Sequence, residues 1–211
     1  MTSLKEHWNK KYASTPITQL GWYESISEPS LQLIANCAVS KDSVVVDVGS
    51  GVSILIANLL DLGYENLYAV DISDVALEKA KALLNPKQAA QVHWIVDDIT
   101  HPSAVLQIQN VKVWHDRAVF HFLTEEQDRQ TYKTILQKTI MSGGFVIISA
   151  FALNSAAMCS GLYVQRHSVE SLREFLGDEF KLIESMDYTY HMPSGDLRPY
   201  VYTRFQKANL S

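Results

Sequence analysis

Carboxylates stand at the ends of three apolar runs, and the first chemistry is expected there. Asp47 closes Val44-Val45-Val46 and leads into Val48-Gly49-Ser50-Gly51. Asp71 closes Leu67-Tyr68-Ala69-Val70, 20 residues after Gly51. Asp97-Asp98 closes the run Val92 to Val96. Consecutive β-branched residues read as a strand buried on both faces. Two glycines after such a strand let the backbone bend sharply and leave room for a ligand to approach the main chain. An acid ending the next strand, about 20 residues on, is placed to accept hydrogen bonds from ribose hydroxyls. Asp47, Gly49, Ser50, Gly51 and Asp71 are therefore expected to hold a nucleotide-type ligand. The competing reading, that Asp71 caps the helix behind it, is weakened because Ser73 can serve as that cap.

A second cluster is His115-Asp116-Arg117, after the run Val111-Lys112-Val113-Trp114. At the end of a strand in a doubly wound sheet, these residues would face whatever reacts with the ligand. A proton acceptor working near neutral pH is best supplied by a histidine or a carboxylate of shifted pKa. His115 is the first candidate, then Asp116 and His191. Asp116 and Arg117 could equally form an ion pair that fixes the loop, and His121 could be a satisfied pocket histidine. The seven histidines show no metal-ligand spacing with a carboxylate partner, so no metal is expected. Cys37 reads as core. Cys159 either lines a pocket or is inert.

The elements that must position these groups alternate strand and helix. Ser27 is expected to cap a helix to about Cys37, with Pro29 in its first turn. Ile54, Ile56, Ala57, Leu59 and Leu60 give a helical face over 54–62. Strand 67–71 is followed by a helix over 74–84, opened by Ser73 and ended by Asn85-Pro86. After strands 92–96 and 111–114, Thr124-Glu125-Glu126-Gln127 reads as a capping box. It opens a helix to about Met141, which Ser142-Gly143-Gly144 stops. Strand 145–150 runs into a connection, 151–167, long enough to suggest an active-site loop. Ser168 opens helix 169–176, and strands 180–190 and 198–205 are joined by a Pro-x-Gly turn into a hairpin. Near the N-terminus, Trp8 and Tyr12 share one helical face and Gly21-Trp22-Tyr23 follows a loop. These rings either pack on the sheet or form a lid, over residues 1–26, that excludes water from the ligand.

Asp47-x-Gly49-x-Gly51, the acid ending strand two and Asp97-Asp98 ending strand three resemble the class I S-adenosylmethionine-dependent methyltransferases. The family's usual last glycine is replaced here by Ser53. The nicotinamide version of the fingerprint would want a glycine where Ile54 stands, and a bulky side chain there disfavours close contact with a pyrophosphate. The resemblance implies an α/β fold with a Rossmann-like seven-stranded sheet, parallel but for a C-terminal antiparallel hairpin, and helices on both faces. It implies S-adenosylmethionine as cofactor, with Asp98 accepting from the adenine amino group and Ile99 flanking the ring. By the same likeness Ile72 and His115 would touch the cofactor, and Trp8, Tyr12 and Trp22 would close over it. The stretch from His115 resembles the corresponding segment of thiopurine-type and lysine methyltransferases. The expected reaction is in-line methyl transfer to a sulfur or nitrogen of a small molecule. A protein lysine is the second reading, and a non-catalytic cofactor-binding protein the third.

The 211 residues suggest a single domain over 1–211, and 47% hydrophobic content allows a real core. A net charge of −5 gives no footprint for nucleic acid or an anionic membrane. Met1 to His7 lacks an apolar signal core, and the longest apolar run, Phe145 to Leu153, is too short to span a bilayer. Two cysteines far apart in sequence fit a reducing compartment, so a cytoplasmic location is expected.

Overall fold

A computed structural model describes residues 3–209. In chain order the elements are α1 (Leu4–Ser14), α2 (Glu28–Asn36), β1 (Val44–Val48), α3 (Leu55–Asp61), β2 (Asn66–Asp71), α4 (Asp74–Ala82), α5 (Pro86–Ala90) and β3 (Val92–Val96). Then come β4 (Val111–Arg117), α6 (Glu126–Thr139), β5 (Ile140–Phe151), β6 (Met158–Cys159), β7 (Leu162–Tyr163), α7 (Val169–Leu176), β8 (Phe180–His191) and β9 (Leu197–Lys207). Seven strands form one sheet in the order β3-β2-β1-β4-β5-β9-β8. The first five are parallel, and the β8–β9 hairpin joins β5 antiparallel through β9. The order reverses beside β1, so the carboxyl ends of β1 and β4 flank the crevice where such sheets bind ligands.

Period-two alternation along β1 divides the core between two faces. Val46 and Val48 pack with Trp114, Tyr132, Leu136 and Leu172, beneath α6 and α7. Val45 packs with Leu33, Leu55, Leu59 and Tyr202, beneath α2 and α3. Both faces of β1 are thereby covered, which is why its residues are apolar apart from Asp47. The N-terminal rings form a smaller cluster, in which Tyr12 and Leu20 pack on Val52, Ala76 and Ala80. Polar contacts fasten α1 to α4: Asn9 donates to Asp74 and accepts from Ser73, and Lys5 pairs with Asp74.

The local chemistry departs from expectation in five places. The helix expected over 74–84 ends at Ala82, and Pro86 starts α5 as well as closing the one before. Asn85 caps α5 reciprocally with Gln88, a use of proline at the first helical position. The capping box expected at Thr124 is not formed; α6 begins at Glu126, and its N-cap residue Glu125 makes no side-chain cap bond. Ser27 stands at the N-cap of α2, but its hydroxyl donates to the Glu24 carboxylate instead. Helix α6 stops at Thr139, not Met141, because Ile140 already pairs with Val111 while Phe145 pairs with Val113. The residues between bulge outward through Gly143, whose φ of +71° favours glycine. Finally, the connection 151–167 carries its own hairpin, β6–β7. Ser160 and Gly161 turn it, with φ of +50° and +81°, the left-handed pair of a tight two-residue turn. Ser73 and Ser168 cap α4 and α7 as expected.

Candidate active site

A cavity of about 570 Å³ opens at the carboxyl ends of β1 to β4. Gly49, Asp71, Ile72, Asp98 and Ile99 form its floor on the β1–β3 side. Trp8, Tyr12 and Trp22 line it from the N-terminal segment. A narrower cleft shares Trp22, Gly49 and Arg117 with this cavity and reaches Asp47, Ser50 and His115. Residues expected to share one ligand are therefore brought together from widely separated elements.

Asp71 is buried, and its carboxylate spans the glycine bend. Gly51 N–H donates to Oδ2 at 2.8 Å and Ser73 N–H to Oδ1 at 2.8 Å. Burial pushes its pKa up to about 6, and the two N–H donors hold it from rising further. The capping of α4 falls to Ser73, whose hydroxyl accepts from Ala76 N–H at 3.0 Å. Gly49 and Gly51 both have positive φ, +62° and +54°. The space their missing side chains leave is taken by protein: a Cβ at Gly49 would overlap Val119, and one at Gly51 would run into the Tyr12 hydroxyl. The bend thus admits a neighbouring loop and the N-terminal segment. Part of the room expected beside the two glycines is therefore taken by protein.

The two acids ending β3 divide their work. Asp97 accepts from Ser103 N–H and Oγ–H and from Val105 N–H, so it ties down the following loop. Asp98 accepts only locally, from Thr100, and its partly exposed carboxylate is on the cavity wall.

At the end of β4 the strand sends successive side chains to opposite faces. His115 faces α2: Nδ1 lies 2.7 Å from Asp47 Oδ1 and Nε2 lies 2.9 Å from Ser30 Oγ. Asp116 faces α6, where it accepts from Val119 N–H, Phe120 N–H and, at 2.8 Å, the Tyr132 hydroxyl. Burial pushes the Asp116 pKa up to about 6 against the pull of those donors. Neither His115 nor Asp116 is on the wall of the main cavity, and His191 is exposed at the end of β8, outside it. None of the three is placed to act as a base, because the first two spend their polar atoms on the fold and the third is not on the cavity wall. His121 is also off that wall; burial drives its pKa down to about 3, so the ring is neutral.

Arg117 does reach the cavity. It is 3.0 Å from Glu24, donates to Tyr202 Oη and the Trp22 carbonyl, and lies over the Tyr190 and Tyr200 rings. The ion pair considered for Arg117 therefore exists, but its partner is Glu24 rather than Asp116. Cys159, Met192, Arg198 and Tyr200 complete this side. Reading the sequence missed Lys11, Met192, Arg198 and Tyr200. The alternation Tyr188, Tyr190, Tyr200, Tyr202 along the hairpin was the available signal for one ring-lined face.

The wall fits the nucleoside cofactor expected from the resemblance. Asp47 Oδ2 is buried without a partner in the cleft, a position that calls for a donor from a ligand. The Asp71 and Asp98 carboxylates stand on the same floor. Among the described residues no group of His, Cys, Asp and Glu is gathered to hold a metal ion, and no helix is long and apolar enough to cross a membrane.

Comparison with known proteins agrees with this geometry. Residues 45–143 match the family described as a methyltransferase domain. EEF1A lysine methyltransferase 2 of Danio rerio is 25% identical over 117 residues, 53% of this chain and 49% of that protein. The chain thus spans about half the length of that relative. A solved S-adenosylmethionine-dependent methyltransferase from Anabaena variabilis aligns with TM-score 0.73 over 96% of this chain and 93% of its own, at 13% identity. The 1,6-didemethyltoxoflavin-N1-methyltransferase of Burkholderia thailandensis, solved with 1,6-didemethyltoxoflavin and S-adenosylhomocysteine bound, aligns with TM-score 0.70 at 19% identity. That alignment covers 87% of this chain and 78% of the other. The matched stretch runs from β1 into β5, so the chain carries a methyltransferase domain there, and its fold is that of the S-adenosylmethionine-dependent methyltransferase with which it aligns.

Proposed function

We propose that the chain transfers a methyl group from S-adenosylmethionine to a sulfur or nitrogen nucleophile of a small molecule. The observation that carries this reading is that the cavity is walled by residues from several separate elements. Trp8 of α1, Trp22, Cys159 of the β6–β7 hairpin and Met192 after β8 all stand on its wall. An acceptor must fit among them, in a volume suited to a small ligand. The second reading, a lysine of a protein, is favoured by the lysine methyltransferase named among the relatives. Incubation with a cell lysate and methyl-labelled cofactor separates the two. Label confined to low-mass products is expected; a labelled protein band would overturn the small-molecule reading.

Bound S-adenosylmethionine supplies a methyl group already activated by its sulfonium. In this reading Asp71 accepts from the ribose hydroxyls, Asp98 from the adenine amino group, and Asp47 Oδ2 from the amino group of the methionine end. Ile72 and Ile99 pack against the nucleoside. Trp8, Tyr12 and Trp22 exclude water and hold the reacting groups in line. No side chain on the wall is assigned as a base, so the acceptor loses its proton to solvent before binding.

His115 then acts by positioning Asp47. His115→Ala is expected to raise the KM for S-adenosylmethionine about tenfold, the loss of one charge-assisted hydrogen bond. The kcat at saturating cofactor should change less than about threefold. Removing a general base would instead lower kcat by about 10²–10⁴. Steady-state kinetics with circular dichroism as a folding control decides between these outcomes.

A further inference from the structure

The cavity is electrically polar along the sheet. On the β2–β3 side its wall carries Asp71, Asp97 and Asp98. Across β1, on the side of β4 and β9, it carries Arg117 and Arg198; Lys11 of α1 and one further acid, Asp128 of α6, also stand on the wall. All three cations line the cavity together with Cys159. Burial raises the Cys159 thiol, while the Ser160 hydroxyl and the charges of Arg198, Lys11 and Arg117 pull it the other way.

Their charges are not equally spent. Arg117 is neutralised by Glu24 at 3.0 Å and fixed by Tyr202 and the Trp22 carbonyl. Arg198 donates only to the Leu197 carbonyl, and among the described residues neither it nor Lys11 has an ion-pair partner. Both are half-buried, and Phe151, Met158, Met192 and Tyr200 supply apolar wall at the same end. Two unpaired cations over an apolar lining suit a ligand with a negative head and an apolar body. A lysine ammonium would meet like charge at Arg198 and Lys11, where Glu24 is already paired with Arg117.

From this geometry we infer that the methyl acceptor is a small carboxylate-type anion with an apolar body, its charge held by Arg198 and Lys11 beside Cys159. The inference rests on the methyl-transfer reading above and names its substrate class.

The test is calorimetric titration of the full chain, saturated with S-adenosylhomocysteine, against three probes of one shape. These are 3-phenylpropanoate, 3-phenylpropanamide and 3-phenylpropylamine. The anion is expected to bind at least about tenfold more tightly than the amide, the effect of one charge-assisted hydrogen bond. The amine is expected not to bind. Arg198→Gln should remove most of that preference, Arg198→Lys should keep it, and neither should change S-adenosylhomocysteine affinity more than about twofold. Equal binding of the three probes, failure of all three, or preference for the amine overturns the inference. So does an Arg198→Gln variant that loses S-adenosylhomocysteine while keeping the anion, since that residue would then serve the cofactor's own carboxylate. Failure of the unaltered protein to bind S-adenosylhomocysteine is a separate result, and it strikes the methyl-transfer reading itself.

Discussion

Replacing Asp71 by Ala is expected to weaken S-adenosylmethionine binding about a hundredfold or more. Two hydroxyl donors to one carboxylate are each worth about 1.5–3 kcal/mol, and each 1.4 kcal/mol is about tenfold. The same change orphans Gly51 N–H and Ser73 N–H, which the carboxylate accepts at 2.8 Å each. Part of the loss would then come from a loosened bend, so Asp71→Asn is the necessary companion. Its side-chain carbonyl still accepts one N–H, so the charge and one acceptor are removed while the shape is kept. Calorimetry on both variants, with urea unfolding of each, separates the contributions. Near-normal affinity in folded Asp71→Ala would end the ribose assignment.

Asp71 also sets a pH dependence whose sign can be worked out. Its folded pKa is raised to about 6 by burial, above the ordinary 3.8. Between those values the folded state binds more protons than the unfolded one, so stability falls as pH rises through that window. The change is on the order of 3 kcal/mol for such a group. Asp116 acts in the same direction, raised to about 6 by its own burial. Cofactor affinity should run the other way. The ionised carboxylate is the better acceptor, so affinity declines as pH drops below about 6 and levels off above it. Asp71→Asn should lose that decline in affinity while keeping the stability trend due to Asp116.

Gly49→Ala is expected to cost about 2–5 kcal/mol of folding stability. A left-handed backbone costs a non-glycine residue about 1–2 kcal/mol, and Gly49 has φ of +62°. Forcing a methyl group into packed structure adds about 1–3 kcal/mol, and here the added Cβ would overlap Val119. Against a typical total of about 5–15 kcal/mol this is a large fraction. The two contributions separate in a double-mutant cycle. Val119→Ala placed with Gly49→Ala should recover the overlap and leave the backbone cost. Denaturant midpoints measure all four proteins. A loss below about 1 kcal/mol in Gly49→Ala would show that Val119 yields freely and that this contact does not hold the bend.

Asp71, Asp98 and the glycine bend were legible in the chain because strand, tight turn and helix are local patterns. A run of β-branched residues, a positive-φ glycine and a serine cap act within a few residues of one another. Parallel strands then carry each acid to the same edge of the sheet. The terminal hairpin was legible for the same reason, through its apolar runs and Pro-x-Gly turn. The roles of His115, Asp116 and Arg117 were not. Three neighbours in sequence part to opposite faces of β4, and their duties depend on what packs there. Asp47 and Ser30 claim the first, Tyr132 the second and Glu24 the third. That Lys11 and Arg198 line one cavity was equally hidden, since one lies on the first helix and the other on the last strand. Short-range propensity decides which residues turn, cap or extend. Which charged groups share a cavity is decided by strand register and by helices returning from distant parts of the chain, and no local pattern records that meeting.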